Sequence, residues 1–87
     1  MTNPVPRLRM FGAMWCKDCR RSKALLEHHD IVLEDIDLTD HPERSAEAQE
    51  ISGRPNIPVI VFDDGAFLVE PSDADLVAAL SERGLVS

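Results

Sequence analysis

The chain has 87 residues, of which 44% are hydrophobic and 29% charged, and its net charge is −7. This length has room for one domain, residues 1–87, and the composition is typical of a globular protein rather than a disordered one. The negative charge disfavours binding to nucleic acid, and the sequence has neither an apolar run of about 20 residues nor an apolar N-terminal signal segment, so we expect no membrane contact and a cytoplasmic location.

The hydrophobic pattern predicts four strands and three helices after an irregular arm at residues 1–6. In chain order we expect a strand at 7–11 that Gly12 ends, a helix at 16–29, a strand at 31–38, a helix from 40 to about 53, strands at 57–62 and 66–69, and a helix that starts near 72 and stops at Gly84. Asp40 and Ser72 are the predicted N-caps of the last two helices.

The order of these elements limits the possible sheets. The first strand, helix and second strand should form a right-handed parallel crossover. The last two strands are joined by a short turn and must be antiparallel. We therefore expect an α/β fold in which a four-stranded mixed sheet is flanked by three helices, in the order β-α-β-α-β-β-α.

Two cysteines, Cys16 and Cys19, lie three positions apart at the junction of the first strand and the first helix. A helix N-terminus carries partial positive charge and free N–H groups, which favour a thiolate over a thiol. Six of the nine basic residues lie between Arg7 and Lys23 and add positive charge there. Cys16 is therefore the expected nucleophile, and Cys19, about one turn later on the same face, can resolve a mixed disulfide formed at Cys16.

A metal site is the alternative use of the two cysteines. A closed zinc site needs four ligands, and the chain has only two cysteines. His28 and His29 lie further along the same predicted helix, roughly 14 Å or more away, so they do not complete the set. We predict no metal site within one chain, while a cluster shared between two chains stays open.

The segments 15–19 (Trp-Cys-Lys-Asp-Cys) and 56–59 (Asn-Ile-Pro-Val) resemble the glutaredoxin and thioredoxin group. The resemblance implies a thioredoxin-like fold and a cis peptide bond before Pro58, facing the active site. A cis bond would expose the backbone of Ile57 for pairing with an extended substrate. Trp15 either contacts partner proteins or covers the start of the helix.

The glutaredoxin-like branch fits better than thioredoxin itself. Only six residues precede Arg7 here, so we expect no counterpart of the extra strand and helix that open thioredoxin. Pro71-Ser72 at the start of the last helix resembles the mycoredoxins, where typical glutaredoxins have a Gly-Gly pair. The resemblance implies that Ser72 and Asp73, at a helix N-terminus, bind the polar end of a small thiol.

One position departs from the family pattern. Relatives usually have an aromatic residue before the second cysteine, and this chain has Asp18. Its carboxylate opposes a thiolate at Cys16, although an acid in the first turn also suits the helix dipole.

We predict a thiol–disulfide oxidoreductase that reduces mixed disulfides or protein disulfides. Its catalytic residues are Cys16 and Cys19, and its substrate-binding or thiol-binding residues are Trp15, Lys17, Ile57, Pro58, Ser72 and Asp73. The expected partners are disulfide-containing client proteins, a low-molecular-weight thiol (mycothiol or glutathione) as co-substrate, and a flavin disulfide reductase, with no tightly bound cofactor. The alternatives are a dimeric iron–sulfur or metal-binding carrier and a redoxin coupled to thioredoxin reductase.

Overall fold

The computed structural model describes residues 7–86, so the predicted arm at 1–6 lies outside the described residues. The elements are β1 (Leu8–Gly12), α1 (Lys17–His28), β2 (Leu33–Asp37), a 3-10 turn (Pro42–Arg44), α2 (Ser45–Ser52), β3 (Val59–Phe62), β4 (Phe67–Val69) and α3 (Asp73–Glu82). Their order confirms the predicted β-α-β-α-β-β-α sequence of elements.

The four strands form one mixed sheet with the order β2-β1-β3-β4. β1 pairs in parallel with β2 and antiparallel with β3, and β3 pairs antiparallel with β4. β1 is therefore a central strand, and its C-terminal end leads directly to the cysteines. This arrangement is the thioredoxin-like fold that the sequence predicts.

Alternation along the central strands separates two apolar cores. On one face α1 and α3 pack against the sheet through buried side chains, among them Leu8, Met10, Leu26, Ile60, Phe62, Leu76 and Leu80. On the other face α2 packs through a smaller set, Phe11, Ile36, Ala48, Val59 and Val61. Burying one such apolar side chain stabilises the fold by roughly 1.5–3 kcal/mol. β1 contributes Leu8 and Met10 to one core and Phe11 to the other, so packing on both faces of the sheet holds this strand in place.

The predicted start of the second strand at residue 31 is wrong, because Ile31 belongs to the end of α1. The Asp30 N–H donates to the Glu27 carbonyl, and the Ile31 N–H donates to the Leu26 carbonyl, each at 3.0 Å. Asp30 has a φ of +55° between them. This is a Schellman motif, in which the residue after the left-handed position packs back on the helix, and Ile31 does pack against the core that contains Leu26.

The predicted N-cap at Asp40 is also wrong. A 3-10 turn precedes α2, His41 occupies the cap position, and no side chain caps this turn. An N-cap side chain accepts a hydrogen bond from an N–H of the first turn, but Pro42 has no N–H. The His41 N–H is also engaged, since it donates to the Asp37 carbonyl at 2.9 Å. The predicted end is confirmed, since Gly53 terminates α2 with a φ of +74°.

The N-terminus of α3 confirms the predicted cap. The Ser72 hydroxyl accepts a hydrogen bond from the Asp75 N–H at 3.1 Å. This bond satisfies one of the free N–H groups of the first turn. Across residues 7–86, none of the helices combines the length and the apolar character needed to cross a membrane.

Candidate active site

Cys16 is the N-cap residue of α1, directly after the turn that leaves β1. Its backbone is extended (φ −84°, ψ 117°), and its N–H donates to the Ala13 carbonyl at 3.1 Å. The half-buried Sγ accepts a hydrogen bond from the Cys19 backbone N–H at 3.3 Å. The sulfur therefore takes the place that an oxygen has in ordinary N-caps, where the helix dipole favours negative charge.

Cys19 lies one turn inside α1 and is only 2% exposed. Burial raises the pKa of its thiol from the ordinary value of 9.0 to about 12, and the hydrogen bond with Cys16 and the charges of Cys16 and Asp18 act in the same direction. A backbone hydrogen bond with Ala13 acts in the opposite direction. Cys19 is therefore a protonated thiol at neutral pH.

Gly12 is the last residue of β1 and the surface against which Cys19 packs. A Cβ atom at Gly12 would lie 3.0 Å from the Cys19 Sγ and 3.2 Å from its Cβ. From its sequence context, Gly12 is predicted only to end a strand. Its structural role is a close approach between β1 and α1 that a side chain would prevent.

Most of the basic side chains around the cysteines are already engaged. Arg20 donates to the Met14 carbonyl at 2.7 Å, and Lys23 pairs with Asp35 at 2.7 Å. Within residues 7–86, Lys17 forms no ion pair, and it is exposed at the first position of α1. The positive charge near Cys16 is thus smaller than the number of basic residues suggests.

Arg21 connects α1 to the start of α3, a role that the sequence analysis missed. Its guanidinium lies 3.2 Å from the Asp18 carboxylate and 3.4 Å from the Asp73 carboxylate, and it donates to the Pro71 carbonyl at 3.3 Å. The structure therefore brings the predicted thiol-binding residue Asp73 close to the helix that carries the cysteines. No pattern in the sequence distinguishes Arg21 from its basic neighbours.

Trp15 and Ile57 meet in one groove beside the turn that carries Cys16. The groove has a volume of about 280 Å³ and is also lined by Ala13, Leu38, Thr39, Ser45 and Pro55. Trp15 is 71% exposed, so it does not cover the start of the helix. The Ile57–Pro58 peptide bond is cis, as the resemblance predicts.

Pro58, directly before β3, is fully buried. The pairing of Phe11 with Val59, continued by one residue, places Pro58 beside Gly12. Its carbonyl accepts a hydrogen bond from the Glu70 N–H at 2.9 Å. Among residues 7–86 there is no group of three or more His, Cys, Asp or Glu side chains that could hold a metal ion.

Several solved structures are similar to the chain. The solution structure of glutaredoxin from Brucella melitensis has 32% identity and a TM-score of 0.63, over 91% of this chain and 82% of that one. The crystal structure of glutaredoxin from Archaeoglobus fulgidus has 20% identity and a TM-score of 0.74, over 85% of each chain. The buckwheat glutaredoxin–glutathione complex has 22% identity and a TM-score of 0.67, over 93% of this chain and 82% of that one. No curated protein sequence matches the chain.

A thioredoxin-like sheet that presents a Cys-X-X-Cys pair at the start of a helix defines a protein of the thioredoxin superfamily. The family model for glutaredoxin matches residues 8–67, and the chain belongs to the glutaredoxin family. It is therefore a thiol–disulfide oxidoreductase. The match ends before α3, so it includes both cysteines and Pro58 but neither Ser72 nor Asp73.

The contact at Gly12 predicts that Gly12→Ala disturbs both stability and the position of Cys19. Overpacking of this kind costs about 1–3 kcal/mol, and the nearest atom is the Cys19 sulfur. Urea denaturation should show that Gly12→Ala lowers the free energy of unfolding. The decrease should be smaller when the same substitution is made in the Cys19→Ala variant, which lacks the sulfur. Equal losses in the two backgrounds would contradict the contact.

The raised pKa of Cys19 predicts a pH dependence of stability. The unfolded chain releases this proton above about pH 9, whereas the folded protein holds it until about pH 12, so the free energy of unfolding falls as pH rises through this window. The slope approaches about 1.4 kcal/mol per pH unit for one proton. Denaturation of the reduced protein and of Cys19→Ala at matched pH values measures the difference, and parallel pH profiles would contradict it.

Proposed function

We propose that the protein reduces disulfides through a two-thiol cycle, with Cys16 as the nucleophile and Cys19 as the resolving thiol. The observation that carries this proposal is the difference between the two sulfurs. The Cys16 Sγ is half-buried at the helix N-cap and accepts an N–H hydrogen bond, while Cys19 is buried and protonated behind it. A thiolate attacks disulfides and a thiol does not, so attack begins at Cys16.

The cycle balances in two steps. The Cys16 thiolate attacks one sulfur of the substrate disulfide, forms a mixed disulfide, and releases the other sulfur as a thiolate that takes a proton. Cys19 then loses its proton and attacks the Cys16 sulfur, which forms the Cys16–Cys19 disulfide and breaks the bond to the substrate. Two electrons pass from the cysteine pair to the substrate, which leaves as two thiols.

The groove between Trp15 and Ile57 is the proposed binding surface for client proteins. It lies beside Cys16, and Trp15 and Met14 are 71% and 63% exposed. An extended client segment can place an apolar side chain against Trp15 and pair with the backbone of Ile57. Pro58, buried beside Gly12, fixes the position of this backbone relative to the cysteines.

A small thiol is the proposed electron donor, and it binds between Lys17 and the start of α3. Ser72 and Asp73 lie at that helix N-terminus, and Arg21 joins Asp73 to Asp18 on α1. Asp18 and Asp73 share the Arg21 guanidinium, and Asp75 adds a further carboxylate in the first turn of α3, so the carboxylates in this region outnumber the cations Arg21 and Lys17. Mycothiol has sugar hydroxyls and no carboxylate, whereas glutathione has two carboxylates that this charge would repel. We therefore favour mycothiol, in a reducing cytoplasm that returns the cysteines to thiols.

The two cysteine variants test the assigned roles. A mixed disulfide with a small thiol needs only one thiolate, because a second thiol from solution can resolve it, whereas a protein disulfide needs the high effective concentration of Cys19. Cys16→Ser should abolish reduction of both substrates. Cys19→Ser should keep most activity on the mixed disulfide and lose most of it on the protein disulfide. Equal losses from both variants on the mixed disulfide would contradict these roles.

A panel of electron donors tests the choice of thiol. Oxidised protein should be recycled faster by mycothiol than by glutathione at equal concentration, and slowly by a flavin thioredoxin reductase. Asp18→Asn removes a negative charge without changing side-chain size, so it should raise the rate with glutathione more than the rate with mycothiol. If glutathione recycles the unchanged protein faster than mycothiol does, glutathione is the donor. If only the reductase recycles it, the reductase is the donor and the protein acts as a thioredoxin does.

A further inference from the structure

A small cavity of about 20 Å³ lies directly beside Cys19. It has room for about one water molecule, which needs 10–15 Å³. Its lining combines the end of β1 with charged side chains from α1 and β2: Met10, Gly12, Ala13, Cys19, Arg20, Lys23, Asp35 and Asp37. The buried thiol of Cys19 therefore has polar groups within reach on one side.

The resolving step needs a group that removes the proton of Cys19. The contributions of Cys16 to the raised pKa of Cys19 end when Cys16 is bonded to the substrate, but burial, the largest cause, persists, so Cys19 stays mostly protonated at neutral pH and its thiolate is scarce. Cys16 cannot take this proton in that step, because its sulfur is bonded to the substrate. The candidates are the charged side chains that line the cavity.

Lys23, Arg20 and Asp35 are poorly suited to accept this proton. The hydrogen bond with Asp35 and the charge of that carboxylate raise the pKa of Lys23, so its amine stays protonated. The Arg20 guanidinium is likewise a cation. The Asp35 carboxylate is already engaged with the Lys23 ammonium at 2.7 Å.

Asp37 has the better position and a free oxygen. The parallel register places Asp37 directly opposite Gly12, the residue against which Cys19 packs. One carboxylate oxygen accepts a hydrogen bond from the Thr39 N–H at 2.8 Å, which orients the side chain. Across residues 7–86 no hydrogen bond occupies the other oxygen, and Asp37 is half-buried where it lines the cavity.

We propose that Asp37 accepts the proton of Cys19, through one water molecule in this cavity, when Cys19 attacks the mixed disulfide. This role rests on the proposed two-thiol cycle and deepens it. The Cys19 sulfur forms the bond to Cys16 as its proton moves to the Asp37 carboxylate, and the bond from Cys16 to the substrate sulfur breaks. The substrate leaves with the electron pair and takes a proton from water, and Asp37 returns its own proton to solvent.

A rapid-mixing experiment separates this step from the first attack. Reduced protein is mixed with an excess of an aromatic disulfide, and the coloured thiolate is released in two phases. The first phase reports attack by Cys16 and depends on reagent concentration, whereas the second reports attack by Cys19 and does not. Loss of the first phase would overturn the proposed function, and changes confined to the second phase concern only Asp37.

Asp37→Asn keeps the size of the side chain and an oxygen for the Thr39 N–H but cannot accept a proton. The second phase should slow about 100-fold at neutral pH, the lower end of what a positioned proton acceptor contributes. Its rate should then rise about tenfold per pH unit between about pH 7 and about pH 9, as the thiolate of a group whose pKa is raised above its ordinary value of 9.0 does. The first phase should keep its rate, and Asp37→Glu should restore part of the second.

Asp35→Asn is the matched control, because it removes a carboxylate from the same strand and the same cavity. Its second phase should keep the shallow pH dependence of the unchanged protein. Equal slowing in the two Asn variants, or none in Asp37→Asn, would overturn the proposal. The unchanged protein alone is also decisive, since a second phase that already rises tenfold per pH unit would show that no side chain accepts the proton.

Discussion

The close contact between Gly12 and Cys19 is the constraint on which the site depends. It lets α1 approach the end of β1 until the Cys19 sulfur lies only 3.0 Å from the position that a Cβ of residue 12 would take. Because Cys19 is held there, its N–H points at the Cys16 sulfur, and its side chain is shielded from bulk solvent. The difference in burial between the Cys16 and Cys19 thiols therefore depends on Gly12 having no side chain.

Ion pairs hold the elements around this contact in place more than they stabilise the fold. Glu47 of α2 pairs with Arg9 of β1 at 3.1 Å and with Arg44 at 2.7 Å, and Arg21 links α1 to the start of α3. These side chains are about a third to a half exposed, and such pairs contribute little free energy individually. Their value is geometric, since Arg9–Glu47 joins β1 to α2 and Arg21–Asp73 joins α1 to the start of α3.

The order of elements could be predicted from the sequence because each strand and helix has a strong apolar pattern. The failures lie where backbone hydrogen bonds decide. Ile31 is apolar and β-branched, yet it closes the Schellman motif after Asp30 instead of starting β2. Asp40 lies two residues before Pro42 and three before Glu43, as an N-cap can, yet His41 takes the cap position.

For the site, the cysteine pair could be predicted because its spacing carries its chemistry. The partners of the charged residues could not be predicted, because pairs such as Arg21–Asp73 join residues from distant parts of the chain. The same holds for the position of Asp37 beside Cys19, which depends on the parallel register of β1 and β2. Sequence alone gives neither the register nor the side-chain contacts that follow from it.

The two edges of the sheet have a consequence for self-association. β2 carries three acids in five residues, and β4 has only three residues. Charged or very short edge strands resist the addition of another strand, which is the usual route from a folded sheet to an aggregate. Across residues 7–86 both edges of the sheet therefore disfavour the addition of a strand, so another chain can approach the Cys16 sulfur without extending the sheet at β2 or β4.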